Sequence, residues 1–296
     1  MIDSNFRPIV IMGAPRSGTN ALRDALTSLP NFDTWPCDEI NAIWKYRNLS
    51  VGYDNLAIDD LSHSKVRYIR NQFFKQVKKL RSPDFIVEKT CANTMRPRFV
   101  DGVLPEAKYI YIVRSGADVV KSATKRWRGE FEFNLIDYWK DKAKYIPVAD
   151  LAYYFYEVVL KRLWNKLLCI DQLADWGPTH PTLSKLKGEC CLEDVAALQW
   201  ALCVISSWFY FRHSNAHKCI FVSYNVLLDN PSEFLRKFES LLPLEIASND
   251  NQASFSANFF PPKPLANSYR PKHATVAKYF NSAMKIYNKI NNDNDH

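Results

Sequence analysis

The chain has 296 residues, 47% of them hydrophobic and 24% charged, so it can bury a sizeable core and is not a disordered chain. A formal net charge of +8 and a pI of about 9.0 suit anionic ligands such as nucleotides, phosphates, uronates or nucleic acid. Seven cysteines, an odd number with no C-x-x-C pair, signal neither a zinc site nor a disulfide framework, and reduced, buried thiols are expected.

The chain opens on Met, and its first apolar run, Ile9–Met12, is far shorter than a signal-peptide core or a membrane span. The expectation is a cytoplasmic protein with no integral membrane segment. Pro8–Met12 reads as a short buried strand and Gly13–Asn20 as a loop of small residues. Ala21–Leu29 follows with helical spacing at Leu22, Ala25, Leu26 and Leu29. A second strand is expected at Phe85–Glu88 with a loop at Lys89–Thr94, and a third at Lys108–Val113, ending at Arg114. A helix over Asp118–Lys125 follows the third strand. Phe131–His213 is long, aromatic and helical in pattern, interrupted by a loop at Asp175–Pro181 that holds Gly177, Pro178 and Pro181. Lys218–Ser223 reads as a fourth strand and Pro231–Leu242 as a helix. Asn258–Lys272, with four prolines, reads as an irregular crossing, and Asn291–His296 as a polar, frayed tail.

Strands alternating with helices imply a parallel sheet covered on both faces: a P-loop-like, three-layer α/β/α fold in one domain over residues 1–296. The aromatic stretch 131–213 is its helical insertion. Neither an internal repeat nor a splitting linker appears.

Between the first strand and helix, GAPRSGTN (Gly13–Asn20) places glycines where backbone amides can turn inward at a helix N-terminus, which suits a phosphate. Gly13 and Gly18 have P-loop spacing, but Thr19 stands where the P-loop lysine would follow, which argues against triphosphate hydrolysis. Arg16, inside the loop, offers a guanidinium that can fork onto a phosphate or a sulfuryl group. In YIYIVRSGADVVKS (Tyr109–Ser122), Arg114 falls at the carboxyl end of a buried strand, where open parallel sheets bind ligands. Ser122 lies eight residues on, so the pair suits a second phosphate.

Together, GAPRSGTN and VRSGADVVKS resemble the two nucleotide-binding motifs of the sulfotransferase superfamily, which uses 3′-phosphoadenosine 5′-phosphosulfate (PAPS). The motif style is nearest to carbohydrate and tyrosylprotein sulfotransferases. Weaker likeness runs through VEKTCANTMRPRFVDGVLPEAKYIYIVR and FVSYNVLLDNPSEFLRKFESLL, and is weakest over Gly129–Glu193. The resemblance implies that Arg16, Ser17, Gly18, Thr19 and Asn20 hold the 5′-phosphosulfate and that Arg114 and Ser122 hold the 3′-phosphate. Tyr224 would sit near the adenine, and Ser268, Tyr269, Arg270 and Lys272 would belong to a basic loop closing over the nucleotide. It implies a Glu base in the segment after the first helix, here Glu39, with adjacent Asp38 as its rival. Arg16 and Lys89 are the cations for the leaving group.

The product would be 3′,5′-adenosine bisphosphate, and no metal is called for. The acceptor is expected to be a hydroxyl of a glycan or glycoconjugate, because aromatic side chains suit sugar faces. A tyrosine, a small phenol or P-loop kinase-like chemistry are the alternatives. No nucleic-acid partner is expected, since the basic residues are dispersed and no such module appears. Oligomeric state is not legible.

Overall fold

The structure is a computed structural model that describes residues 6–49, 51–80, 83–128, 147, 150, 177–242, 248–261 and 269–293. In chain order it runs β1 (Arg7–Met12), α1 (Thr19–Thr27), β2 (Phe32–Thr34), α2 (Asn41–Trp44), α3 (His63–Lys79), β3 (Phe85–Lys89), α4 (Pro97–Val103), β4 (Lys108–Val113) and α5 (Gly116–Trp127). There follow α6 (Pro181–Leu186), α7 (Leu192–Ser214), β5 (Cys219–Ser223), α8 (Tyr224–Asp229), α9 (Pro231–Glu239), α10 (Asn249–Ser256) and α11 (Ala274–Asp293).

The five strands form one parallel sheet in the order β2-β3-β1-β4-β5. β1 and β4 are apolar nearly end to end because both faces of the sheet are covered, and consecutive side chains enter opposite layers. Val10, Met12, Tyr109, Tyr111 and Val113 enter the layer that holds α3, α4, α5, α7 and α11. Ile9, Ile11, Ile110 and Ile112 enter the layer of α1, α8, α9 and α10. The parallel register brings the carboxyl ends of β1, β3, β4 and β5 to one edge, with Ile11 opposite Lys89, Met12 opposite Tyr111 and Val113 opposite Ser223. The central β1 lies between β3 and β4, where the strand order reverses, and ligands bind at such switch points.

The expected strands and the expected α/β class are present, with helix ends shifted by two or three residues. β2 escaped notice because three residues at a sheet edge make no apolar run. Phe131–Trp176 lies outside the described residues apart from Pro147 and Asp150. The later part of the 131–213 stretch is a helix that is largely core. α7 packs directly on the sheet, with the Tyr111 hydroxyl donating to the Val204 carbonyl at 2.8 Å and the Phe211 ring 4.6 Å from Tyr109. By length and composition α7 is apolar enough to cross a membrane, the one such helix among the described residues, and 72% of that window is buried in the fold. The tail needs a correction. Helix α11 continues to Asp293, and Asn291 Oδ1 accepts the Ser223 hydroxyl at 2.7 Å, so a hydrogen bond to the sheet holds its start. Within the described residues six cysteines are free thiols, including adjacent Cys190 and Cys191.

Gly116 fixes how closely α7 and α11 approach the start of α5. A Cβ there would lie 2.7 Å from both the Trp200 and Phe280 rings, inside any real contact. Replacing Gly116 with Ala should therefore overpack the core and cost about 1–3 kcal/mol. Urea unfolding of the two proteins measures it, and equal midpoints would contradict this packing.

Candidate active site

The turn after β1 is shaped by what surrounds it. Ser17 N–H closes on the Ala14 carbonyl at 3.1 Å, and α1 begins when Leu22 N–H reaches the Gly18 carbonyl at 3.0 Å. Gly18 has φ +93°, and a Cβ there would fall 2.3 Å from the Tyr224 ring, so this position needs glycine for both reasons. Arg16 takes φ +69° without being glycine, a conformation that costs energy and that the surrounding turn imposes. α1 has neither a side-chain cap nor an acidic residue in its first turn. Its terminal amides and dipole therefore face the turn without a built-in anion. Ser17 Oγ, on a wholly buried residue beside them, has no hydrogen-bond partner. An orphaned hydroxyl next to uncapped amides fits an anion with oxygen atoms.

The two motifs meet across the switch point. Arg16 Nε donates to Ser122 Oγ at 2.9 Å, and Arg114 Nη1 donates to the Arg16 carbonyl at 3.4 Å. The Arg114 guanidinium lies 4.9 Å above the Tyr224 ring, with Nε 3.7 Å from Asp118 Oδ2 but without a hydrogen bond of its own. Burial first, then the charges of Arg126 and Arg114, lower the Arg16 pKa. Arginines brought together in this way repel one another, and a polyanion among them relieves the repulsion.

A second cluster adjoins the first. Lys89, at the end of β3, donates to Asp38 Oδ1 at 2.9 Å and to Glu39 Oε1 at 3.3 Å. Burial by itself would lower the Lys89 pKa, but Glu39, Cys91 and Asp38 outweigh it and raise it, so the ammonium stays charged. Glu39 Oε1 also accepts the Cys91 amide at 3.3 Å, whereas Asp38 Oδ1 accepts a second cation, Arg23 Nη1, at 3.1 Å. Cys91 joins the clusters, its Sγ lying 3.7 Å from Thr19 Oγ1. Beneath them Glu88 is fully buried, accepting Trp44 Nε1 at 3.2 Å and Asn93 Nδ2 at 3.0 Å. Burial pushes its pKa up to about 7, against hydrogen bonds from Thr90 and Trp44 and the charge of Arg96.

Arg16, Ser17, Gly18, Thr19, Lys89, Glu39, Arg114, Ser122 and Tyr224 are thus contiguous, and Asn20 is exposed in the first turn of α1. Tyr224 is buried, with Gly18 against its ring, Arg114 over its face and its hydroxyl on the Phe260 carbonyl at 3.0 Å, so base stacking on that ring is not open to it. Arg270 and Lys272 are exposed on a segment whose described hydrogen bonds to α7 run to Asp194. Ser268 lies outside the described residues. Sequence reasoning missed Arg126 and Cys91. The first stands four residues after Ser122, on the same helix face, and the second two after Lys89; both spacings were available as signals.

A family model described as the sulfotransferase family matches residues 8–158, more than half of the chain. The chain belongs to the sulfotransferase family. No curated protein matches the sequence. Among solved structures, a sulfotransferase from Mycobacterium avium is 12% identical, covering 96% of this chain and 76% of its own, with a TM-score of 0.49. One from Alicyclobacillus acidocaldarius is 13% identical, covering 96% and 94%, with a TM-score of 0.47. A mouse sulfotransferase complexed with PAP is 14% identical, covering 97% and 83%, with a TM-score of 0.41. Among the described residues of this sulfotransferase, no three His, Cys, Asp or Glu side chains are grouped so as to hold a metal ion.

Glu88 gives this sulfotransferase a pH signature. A carboxyl whose folded pKa lies above its unfolded one stabilises the fold below the unfolded value and loses that contribution as pH rises toward 7. The stability advantage of the wild type over Glu88→Gln should therefore shrink between pH 5 and pH 8. Urea unfolding at both pH values tests it, and an advantage that grows with pH would contradict it.

Proposed function

We propose that this sulfotransferase moves the sulfuryl group of PAPS to a hydroxyl of a carbohydrate or glycoconjugate. The observation that carries the reading is the 2.9 Å bond between Arg16 and Ser122, which makes one two-anion site of the turn after β1 and the helix after β4. A donor with phosphates on both its 5′ and 3′ positions matches such a site. The orphaned Ser17 hydroxyl and the uncapped start of α1 fit the 5′ end, and Arg114 with Ser122 fits the 3′ end.

PAPS supplies an activated sulfuryl group on a phosphate leaving group. Within the chain, Glu39 takes the acceptor hydroxyl proton as the acceptor oxygen–sulfur bond forms and the sulfur–phosphate oxygen bond breaks. Glu39 suits this better than Asp38, whose Oδ1 is occupied by two cations, Lys89 and Arg23. Glu39 Oε1 accepts both Lys89 Nζ and the Cys91 amide. Lys89 and Arg16 stabilise the negative charge that develops on the departing phosphate, the largest single contribution expected in such a site. The carbohydrate class of acceptor draws its support from a Glu base and from the aromatic residues of the sequence stretch 131–176.

Two outcomes follow. Saturating adenosine 3′,5′-bisphosphate, at about a hundred times its Kd, should stabilise the protein by about 2.7 kcal/mol in a thermal melt, with ATP well below that. A stronger shift with ATP would overturn the donor. Glu39→Gln should keep the bisphosphate affinity while transfer of labelled sulfate from PAPS to glycan acceptors falls about 10²–10⁴-fold. Undiminished transfer by that variant would remove Glu39 from the role of base.

A further inference from the structure

Asp194 is the third residue of α7 and only 1% exposed, yet it lies outside the cluster around Arg16 and Lys89. Its carboxylate serves another segment. Oδ1 accepts the Tyr269 hydroxyl and the Lys272 amide at 3.1 Å; Oδ2 accepts the His273 amide at 2.8 Å and shares the Lys272 amide at 3.2 Å. Burial favours the neutral acid, but the Tyr269 hydroxyl and then the His273 and Lys272 amides outweigh it and hold the pKa below the usual carboxylate value. A buried carboxylate with three donors is strongly bound to them.

The segment it holds is built to be stiff. Pro271 fixes its own φ and confines Arg270 to extended backbone. Pinned at Tyr269, Lys272 and His273, the stretch carries Arg270 and Lys272 with exposed side chains, and among the described residues no carboxylate pairs with either. Two uncompensated cations on a fixed tether attract an anion rather than stabilise the fold.

The segment also packs toward the start of α5, the helix that carries Ser122. The Tyr269 ring stands 5.5 Å from Phe280, and Phe280 with Trp200 closes on Gly116, two residues after Arg114. At the far end of α5, Arg128 pairs at 2.8 Å with Glu193, the neighbour of Asp194. The pinned stretch therefore packs toward one end of the helix that carries Ser122 and Arg126, and α7, which holds the stretch, pairs with the other end.

We propose that Asp194 is a positioning residue for the donor: by holding Tyr269, Lys272 and His273 it presents Arg270 and Lys272 to the phosphates of the bound nucleotide. This rests on the nucleotide reading given under Proposed function. The test is calorimetric titration of adenosine 3′,5′-bisphosphate into the wild type, Asp194→Asn, Tyr269→Phe, Lys272→Ala and the Asp194→Asn/Lys272→Ala double variant. Asp194→Asn should weaken binding roughly tenfold and Tyr269→Phe by a smaller factor. Adding Lys272→Ala to Asp194→Asn should weaken binding by less than Lys272→Ala does alone, because the lysine is already misplaced. A merely structural Asp194 would lower the melting temperature and leave the Kd of the folded protein unchanged, and that result overturns the proposal. If Asp194→Asn does not fold, an unchanged Kd for Tyr269→Phe overturns it equally. A wild type that does not bind the bisphosphate fails differently, since it removes the nucleotide reading itself.

Discussion

The hydrogen bond from Arg16 to Ser122, 2.9 Å long, spans 106 residues of sequence and sets the spacing between two loops that the sheet delivers separately. Parallel strands make this possible. Because β1 and β4 are neighbours in register, Met12 opposite Tyr111, the turn after one and the helix after the other leave the same edge side by side. Arg16 reaches across only because the turn holds it at positive φ, and the turn keeps that shape because Gly18 lets Tyr224 pack against it. Tyr224 in turn supports the Arg114 guanidinium on its face. The position of the cations is thus a consequence of backbone geometry and one buried ring.

Charge is balanced differently on the two sides of β1. On the β4 side Arg16, Arg114 and Arg126 converge, with Asp118 the carboxylate nearest Arg114. On the β3 side Lys89 is almost wholly buried and carries two carboxylates, so its charge is compensated before any ligand arrives. The first arrangement favours an incoming polyanion, and the second keeps a buried lysine ionised between two carboxylates. Burying Glu88 directly beneath adds a constraint. It holds Asn93, hence the turn Cys91–Met95 whose first amide meets Glu39. Asn93 accepts Arg96, which lies 3.6 Å from Asp54, and Asp54 accepts the Thr179 amide at 2.8 Å. A polar chain thereby connects the floor of the site to the loop that precedes α6.

Much of this was legible in the sequence, for identifiable reasons. Apolar strands ending in Lys89 and Arg114 announce themselves, because fully buried parallel strands leave no polar residue until the edge where function sits. GAPRSGTN is legible because its glycines answer to steric demands. In the segment after α1 the sequence points to Glu39, with Asp38 as its rival. What separates them is the pairing of Asp38 with Arg23, fifteen residues earlier, which no local pattern reveals. An aromatic helical run such as α7 reads alike in a lobe and in a core; the bond from Tyr111 to Val204 and the Tyr109–Phe211 ring contact show its packing on the sheet. Asp194 drew no attention because a single acid in the first turn of a helix is ordinary until its partners, 75 or more residues later, are known.

On the proposed function, two loops form one site for a nucleotide with phosphates at both ends. A crystal structure with adenosine 3′,5′-bisphosphate tests it most directly. The 5′-phosphate should lie in the turn Gly13–Asn20 against Ser17 and Arg16, with the 3′-phosphate on Arg114 and Ser122. A nucleotide bound elsewhere, or one with a single phosphate touching these residues, would contradict it.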